Sequence, residues 1–236
     1  MVVRRATESD IPQVVGFTRD TFTWGDYVPR VINKWVKDGT AYVALINEEV
    51  IGVVNLVLLP TGVAWLEGIR VKPTYRRRGV GMTLTNHVLN LARVKGARYA
   101  TLMIAEWNNA SHGLALKLGF KPILNVHGGV VKESPVHHET DRERMRKLID
   151  GALNKTGGYF CSAVDHWVCT RADVNYVLSV TRDVYIGEKG LGFDRGFSVG
   201  QPTTPIRMEM LTTEYGDFEE YFGRFIVYDI LTPSPP

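Results

Sequence analysis

"VKPTYRRRGVGMTL", Val71 to Leu84, sets three arginines directly in front of two glycines spaced by one residue, then runs into helix-forming sequence. Glycine takes positive φ at no steric cost and carries no side chain. Gly79 and Gly81 therefore let successive N–H groups of the turn and of the helix start converge on an anion such as phosphate. Arg76, Arg77 and Arg78 add charge, and the planar donor fork of arginine suits phosphate oxygens. A plain strand–turn–helix with solvated arginines would show the same letters, so the surrounding sequence decides.

Working upstream, hydrophobic spacing predicts a helix from Ile11 to about Phe22, capped by Ser9-Asp10 with Pro12 in its first turn. "TWGDYVP" breaks it. Val31, Ile32, Trp35 and Val36 predict a second short helix, ended by Asp38-Gly39. Thr40–Ile46, Val50–Leu59 and Val63–Val71 read as strands joined by tight links, which suits an antiparallel meander. Downstream, Leu84, Val88, Leu91 and Ala92 mark a third helix closed at Gly96, Tyr99–Ala105 is a buried strand, and "SHGLALKLGF" is a short helix ending at Gly119. This order is α+β, an αβα layering with a strand splayed beside the glycine turn.

Composition excludes several function classes. A net charge of +3 over 236 residues is too small for a nucleic-acid footprint, and the longest apolar run is far short of a membrane span. Neither nucleic acid nor membrane is expected as a partner, while a homodimer stays open. Cys161 and Cys169 lack metal-ligand spacing and no metal site is expected. The N-terminus lacks a signal peptide's apolar stretch, which together with two cysteines taken as reduced thiols reads as cytoplasmic.

After about Val131 the pattern changes. A polar link leads into a charged helix with apolar positions Met145, Leu148, Ile149 and Ala152 on one face. "YFCSAVDHWVCT" and "GRFIVYDIL" read as strands, and Gly187–Pro205 as a long Gly/Pro-rich loop able to close over an acceptor pocket through Phe193, Asp194 and Arg195. Two regions follow, 1–131 and a smaller α+β unit at 139–236 packed on the first.

The first region resembles the GCN5-related N-acetyltransferase (GNAT) superfamily. Its pyrophosphate motif, Gln/Arg-x-x-Gly-x-Gly/Ala, is met by Arg76-Arg77-Arg78-Gly79-Val80-Gly81 after the strand ending Val71-Lys72-Pro73-Thr74-Tyr75. A second signature, an Asn-led helix closing on Leu-Gly-Phe, is met by Asn108 to Phe120. The resemblance implies a GNAT-like mixed sheet with a splayed central strand pair and acetyl-CoA as co-substrate. The pantetheine arm would pair with the backbone of Ile69, Arg70 and Val71, and the pyrophosphate would lie on Arg77, Arg78, Gly79, Val80, Gly81, Met82 and Thr83, with Arg76 adding charge. Asn108 would hydrogen-bond the pantetheine or simply cap its helix.

Acyl transfer to an amine needs a base for the amine's proton. Strand alternation puts Trp65, Glu67, Ile69 and Val71 on one face and Leu66, Gly68 and Arg70 on the other, and Glu67 is the only carboxylate on that strand. Other members of the superfamily carry their base on this face, which implies Glu67; a purely structural pairing of Glu67 with an arginine is the alternative. The tyrosine that many members use to protonate the leaving thiolate is here Ala115, with His112, a nearby tyrosine or water as substitutes. "WGDYVPRVINKWV" together with "WLEGIRV" resembles histidine N-acetyltransferase-like members, which implies Asp26, Tyr27 and Glu67 around a cationic amine, Trp24 in the acceptor wall, and Arg70 on a carboxylate. Packing and capping roles for Trp24, Asp26 and Tyr27 remain open beside it.

The resulting expectation is an N-acetyltransferase acting on the primary amine of a small molecule, an amino acid by preference. The alternatives are a protein N-terminal or lysine acetyltransferase, a non-catalytic acyl-CoA sensor, or an interaction module dominated by the C-terminal hundred residues.

Overall fold

The computed structural model describes residues 1–23, 25–164 and 166–232. The chain divides into two compact units. The first comprises Met1–Ala100 with Leu116–Gly119 and Ile230–Pro236, and the second comprises Thr101–Ala115 with Phe120–Asp229.

The first unit begins with a strand that the sequence pattern misses, β1 (Val2–Arg5), whose two arginines hide its period. It pairs antiparallel with β2 (Ala41–Ile46), and the meander continues through β3 (Glu49–Leu58) and β4 (Val63–Val71) in the order β1-β2-β3-β4. The first helix, α1 (Ile11–Thr18), stops four residues short of the expected Phe22, because "TRDTFTWGD" is rich in residues that prefer turns to helix. Its entry is fixed by Asp10, which accepts from both Arg4 Nη atoms at 2.7 and 2.9 Å and from the Thr7 amide at 2.7 Å. The next helix, α2 (Val28–Lys37), carries Val28, Ile32 and Trp35 on its buried face, and these pack with Val14, Val43, Val50 and Val53 into one core. Each such side chain contributes roughly 1.5–3 kcal/mol on burial. After the glycine turn, α3 (Val80–Val94) lays Val80, Leu84, Val88 and Ala92 inward.

β5 (Tyr99–Ala105) carries the chain from the first unit into the second. There it is followed by α4 (Asn109–Lys117), β6 (Lys121–Val131), β7 (His137–Glu139), α5 (Arg142–Lys155), β8 (Tyr159–Ser162), β9 (Val168–Arg171), α6 (Val174–Val180), β10 (Val184–Ile186), β11 (Gly190–Phe193), β12 (Phe197–Gly200), β13 (Met208–Thr212) and β14 (Glu220–Leu231). The sheet order in this unit is β5-β14-β6-β13-β12-β11-β10-β7, with β12 and β13 parallel, so the sheet is mixed. The position expected as a boundary, Val131, is the last residue of β6. That strand hydrogen-bonds to β13 on one side and β14 on the other, which draws residues 121–131 into the second unit.

Two expectations are corrected here. Gly187–Pro205 is not an open loop, since it contains the hairpin β11–β12, and Phe193 and Phe197 are buried against Phe160 with ring centroids 5.2 and 5.4 Å from it. Its glycines mark close backbone approach: a Cβ on Gly192 would lie 1.9 Å from the Thr203 carbonyl oxygen, and one on Gly190 2.3 Å from that of Gln201. Phe193 therefore cannot close a pocket. The cysteines are not reduced either. β8 and β9 pair so that Cys161 and Cys169 stand opposite, 4.1 Å apart at Cα, and they form a disulfide. Thiol chemistry then gives no argument for a reducing compartment.

Candidate active site

The site is organised by an irregularity in β4. Along the β3–β4 ladder Asn55 faces Glu67, but two residues earlier Val53 faces Arg70, three residues on, so β4 bulges by one residue between them. Gly68 sits in the bulge at φ +64, and a Cβ there would meet the Trp35 ring at 2.5 Å. Both the torsion and the packing call for glycine. The bulge overturns the alternation read from sequence. Cross-strand partners share a face, so Trp65, Glu67 and Arg70 now lie together with Val57, Asn55 and Val53, while Val71 joins Leu66 on the other side.

Glu67 is half-buried and its Oε1 accepts from Asn55 Nδ2 at 2.8 Å. Arg70, brought to the same face, donates from Nε and Nη2 to the two Asp26 oxygens at 2.6 and 3.1 Å and from Nη1 to the Ile69 carbonyl at 3.1 Å. Its guanidinium carbon lies 5.1 Å from the centre of the Phe22 ring and 5.5 Å from that of Tyr27. The Asp26 side chain is fully buried, and Oδ1 also takes the Val28 amide at 3.1 Å. Asp26 thus holds Arg70 and the start of α2. The Tyr27 hydroxyl lies over Gly68 and is pushed far above its ordinary pKa, by burial first and then by the Glu67 charge. It stays protonated across the neutral range. Trp24 lies outside the described residues.

The glycine turn has a different character. After a single 3-10 turn at Pro73–Tyr75, the chain takes positive φ at Arg77 (+61) and Gly79 (+82), then enters α3. Gly81, expected to share the positive torsion, lies in the first turn of the helix. The helical ladder opens with the Thr83 amide donating to the Gly79 carbonyl at 3.0 Å, so the amides of Val80, Gly81 and Met82 precede it and form the donor end of the helix. Among the described residues, nothing beyond its own chain neighbours lies within 4 Å of the Cβ position at Gly79. Arg76, Arg77 and Arg78 are exposed. Arg76 Nε bonds back to the Val71 carbonyl at 3.3 Å, and Arg78 stacks on Tyr75 at 5.5 Å. Tyr75 is held by Glu49 at 2.6 Å, which also pairs with Lys72, so the support under the turn comes from β3. An open cradle of backbone donors ringed by arginines fits a pyrophosphate.

In the second unit, Asn108 caps α4: its Oδ1 accepts from the Ser111 amide at 3.2 Å. Ala115 is buried. His112 Nε2 reaches the Glu106 carbonyl at 3.2 Å, which makes it the donor there, and leaves Nδ1 of the neutral ring to accept from the Tyr228 hydroxyl at 2.9 Å. Asn55 and Phe22 were not anticipated. Asn55 had a signal, being the one polar side chain inside the apolar run Val50–Leu59.

Residues 11–120 match the model of the acetyltransferase (GNAT) family. Over 64 residues, 27% of this chain, the sequence is 33% identical to a thialysine N-ε-acetyltransferase from Bos taurus, and it spans 38% of that protein's length. Two solved structures follow nearly the whole fold. One, from Thermoplasma acidophilum, superposes with a TM-score of 0.62 at 17% identity over 98% of this chain and 100% of the other. The second, from Pyrococcus horikoshii, gives 0.57 at 16% identity over 98% and 89%. Both are provisionally described as acetyltransferases. The mixed α+β fold is theirs. Among the described residues no helix is long and apolar enough to cross a membrane.

Proposed function

We propose that this chain, whose residues 11–120 match the acetyltransferase (GNAT) family model, is an acyltransferase that moves the acetyl group of acetyl-CoA to the primary amine of a small molecule, an amino acid by preference, with Glu67 as the base. The observation that carries the reading is the bulge at Gly68, which sets the carboxylate of Glu67 and the guanidinium of Arg70 on one face, beside the Tyr27 hydroxyl. An amino acid offers the complementary pair, an ammonium for Glu67 and a carboxylate for Arg70. Arg70 is pre-oriented by Asp26, so little side-chain freedom is lost on meeting a carboxylate. The bovine relative's name gives an amino acid as its acceptor, which supports the same class.

Acetyl-CoA would rest its pyrophosphate on Arg77 to Thr83 and its pantetheine arm along Ile69 to Val71, supplying an activated acyl carbon. Glu67 takes one proton from the acceptor ammonium, the freed lone pair forms the C–N bond at the acyl carbon, and as the C–S bond breaks its electrons leave on sulfur, which takes up the second proton of the nitrogen to give the amide and the free CoA thiol. The test is release of free thiol from acetyl-CoA in the presence of a panel of amino acids, compared with a panel of peptides. Turnover with amino acids and none with peptides is the expected result; the reverse assigns the chain to protein acetylation.

A further inference from the structure

Asn55 stands in the middle of an apolar strand and is fully buried. An amide placed there costs about 1–3 kcal/mol for each polar group left unpaired. Its Nδ2 is paired, to Glu67 Oε1 at 2.8 Å, while its Oδ1 has no partner among the described residues. The same is true of Trp65 Nε1, on the same face of the ladder. The half of the amide that is satisfied is the half that faces the carboxylate. Turned over, the amide would set its oxygen against Glu67, an arrangement that only a protonated Glu67 could accept.

We propose that Asn55 is a positioning residue for Glu67: it fixes Oε1 and favours the ionised carboxylate, so that the half-buried group keeps the form able to take a proton. The proposal rests on Glu67 being the base. Hydrogen bonding to the charged form works against the effect of burial, and the amide supplies it without adding charge. An arginine in its place would supply charge as well and would hold the carboxylate too acidic to serve. Among the described residues, the Tyr27 hydroxyl from the start of α2 and the Arg70–Asp26 pair also stand on the Glu67 side of the strand. None of them is altered by substituting Asn55, so a change on doing so belongs to the amide.

The experiment titrates Glu67 directly in the full chain labelled with 13C-glutamate, the Glu67 carboxyl signal being assigned by its loss in Glu67→Gln. No acceptor is needed for this readout. Asn55→Leu should raise the midpoint by about one unit, and Asn55→Asp, which keeps the shape and sets two carboxylates together, by more. If Asn55→Leu does not fold, Asn55→Ala, which removes the same donor and adds no charge, carries the test. Rates with acetyl-CoA and the acceptor found by the panel should follow: the acid limb of kcat/KM moves up with the midpoint, and Asn55→Leu adds no further loss to Glu67→Gln. An unmoved midpoint overturns the positioning role while leaving the base assignment intact. A moved midpoint with a Glu67→Gln enzyme as fast as the unsubstituted chain overturns the base assignment and the proposal with it.

Discussion

The first unit takes positive φ at glycine in two functional places, and the two are built in opposite ways. At Gly68 the torsion lies inside the sheet, with the Trp35 ring where a side chain would go. At Gly79 the torsion lies on the surface, and the space where a side chain would go is empty. One glycine is required by what is packed against it, the other by the room it leaves. Damage at the bulge should therefore appear first as lost stability and misdirected side chains, and damage at the turn as lost affinity in a protein that still folds.

The largest effect tests what the bulge carries. Glu67→Gln should lower kcat by 10² to 10⁴, as general-base loss does, about 3–5 kcal/mol, with acetyl-CoA binding unchanged. A pH–rate profile identical to that of the unsubstituted chain would move the base elsewhere. Gly68→Val comes next. Strain at positive φ and displacement of Trp35 should together cost about 3 kcal/mol or more in urea unfolding.

Gly79→Val should lose only about 1–2 kcal/mol of stability, the cost of a left-handed residue. Its Kd for acetyl-CoA by calorimetry should rise more than tenfold, above ~1.4 kcal/mol, because the new side chain fills the cradle. If Gly79→Val proves the less stable of the two, the contrast between packed and open glycine fails. The smallest effect belongs to neither place. Burial pushes the Asp10 carboxyl up, but its bonds to Arg4 and Thr7 more than offset this and hold it below the usual range. A carboxyl whose folded pKa is depressed stabilises the fold above its unfolded pKa of about 3.9, and that stability is lost as pH falls through the folded value. Asp10→Asn should lower the stability at pH 7 by about 1 kcal/mol, seen as a lower melting temperature, and flatten the decline of stability below pH 4.

β4 was legible to the residue, as was β5, because each is a compact run of large apolar side chains between turn signals. Where those side chains point was not. A bulge leaves strand length unchanged and reverses the faces, and its one mark in sequence, a glycine inside a strand, is also read as mere weakness. The glycine turn was legible because its signal is local, carried by consecutive residues. The Asn55–Glu67 and Arg70–Asp26 contacts join positions 12 and 44 residues apart, and nothing local marks them. In the second unit, glycine was misread as flexibility where it is close packing, so β11 and β12 passed for loop. β6 went unseen because "KPILNVHGGVV" mixes Pro, Asn, His and two glycines into a strand that its neighbours hold together.

β6 lies between β13 and β14, and β14 is made last among the described strands. During synthesis at roughly 5–20 residues per second, β6 waits some 5–20 s with one edge bare before residues 220–229 emerge to pair with 121–130, residues 208–212 of β13 having been made shortly before for its other edge. An unpaired edge recruits other strands, so the nascent chain passes through a window in which a chaperone or a second nascent copy competes with its own C-terminal strand. A chain ending at Val131 would stay in that window for good.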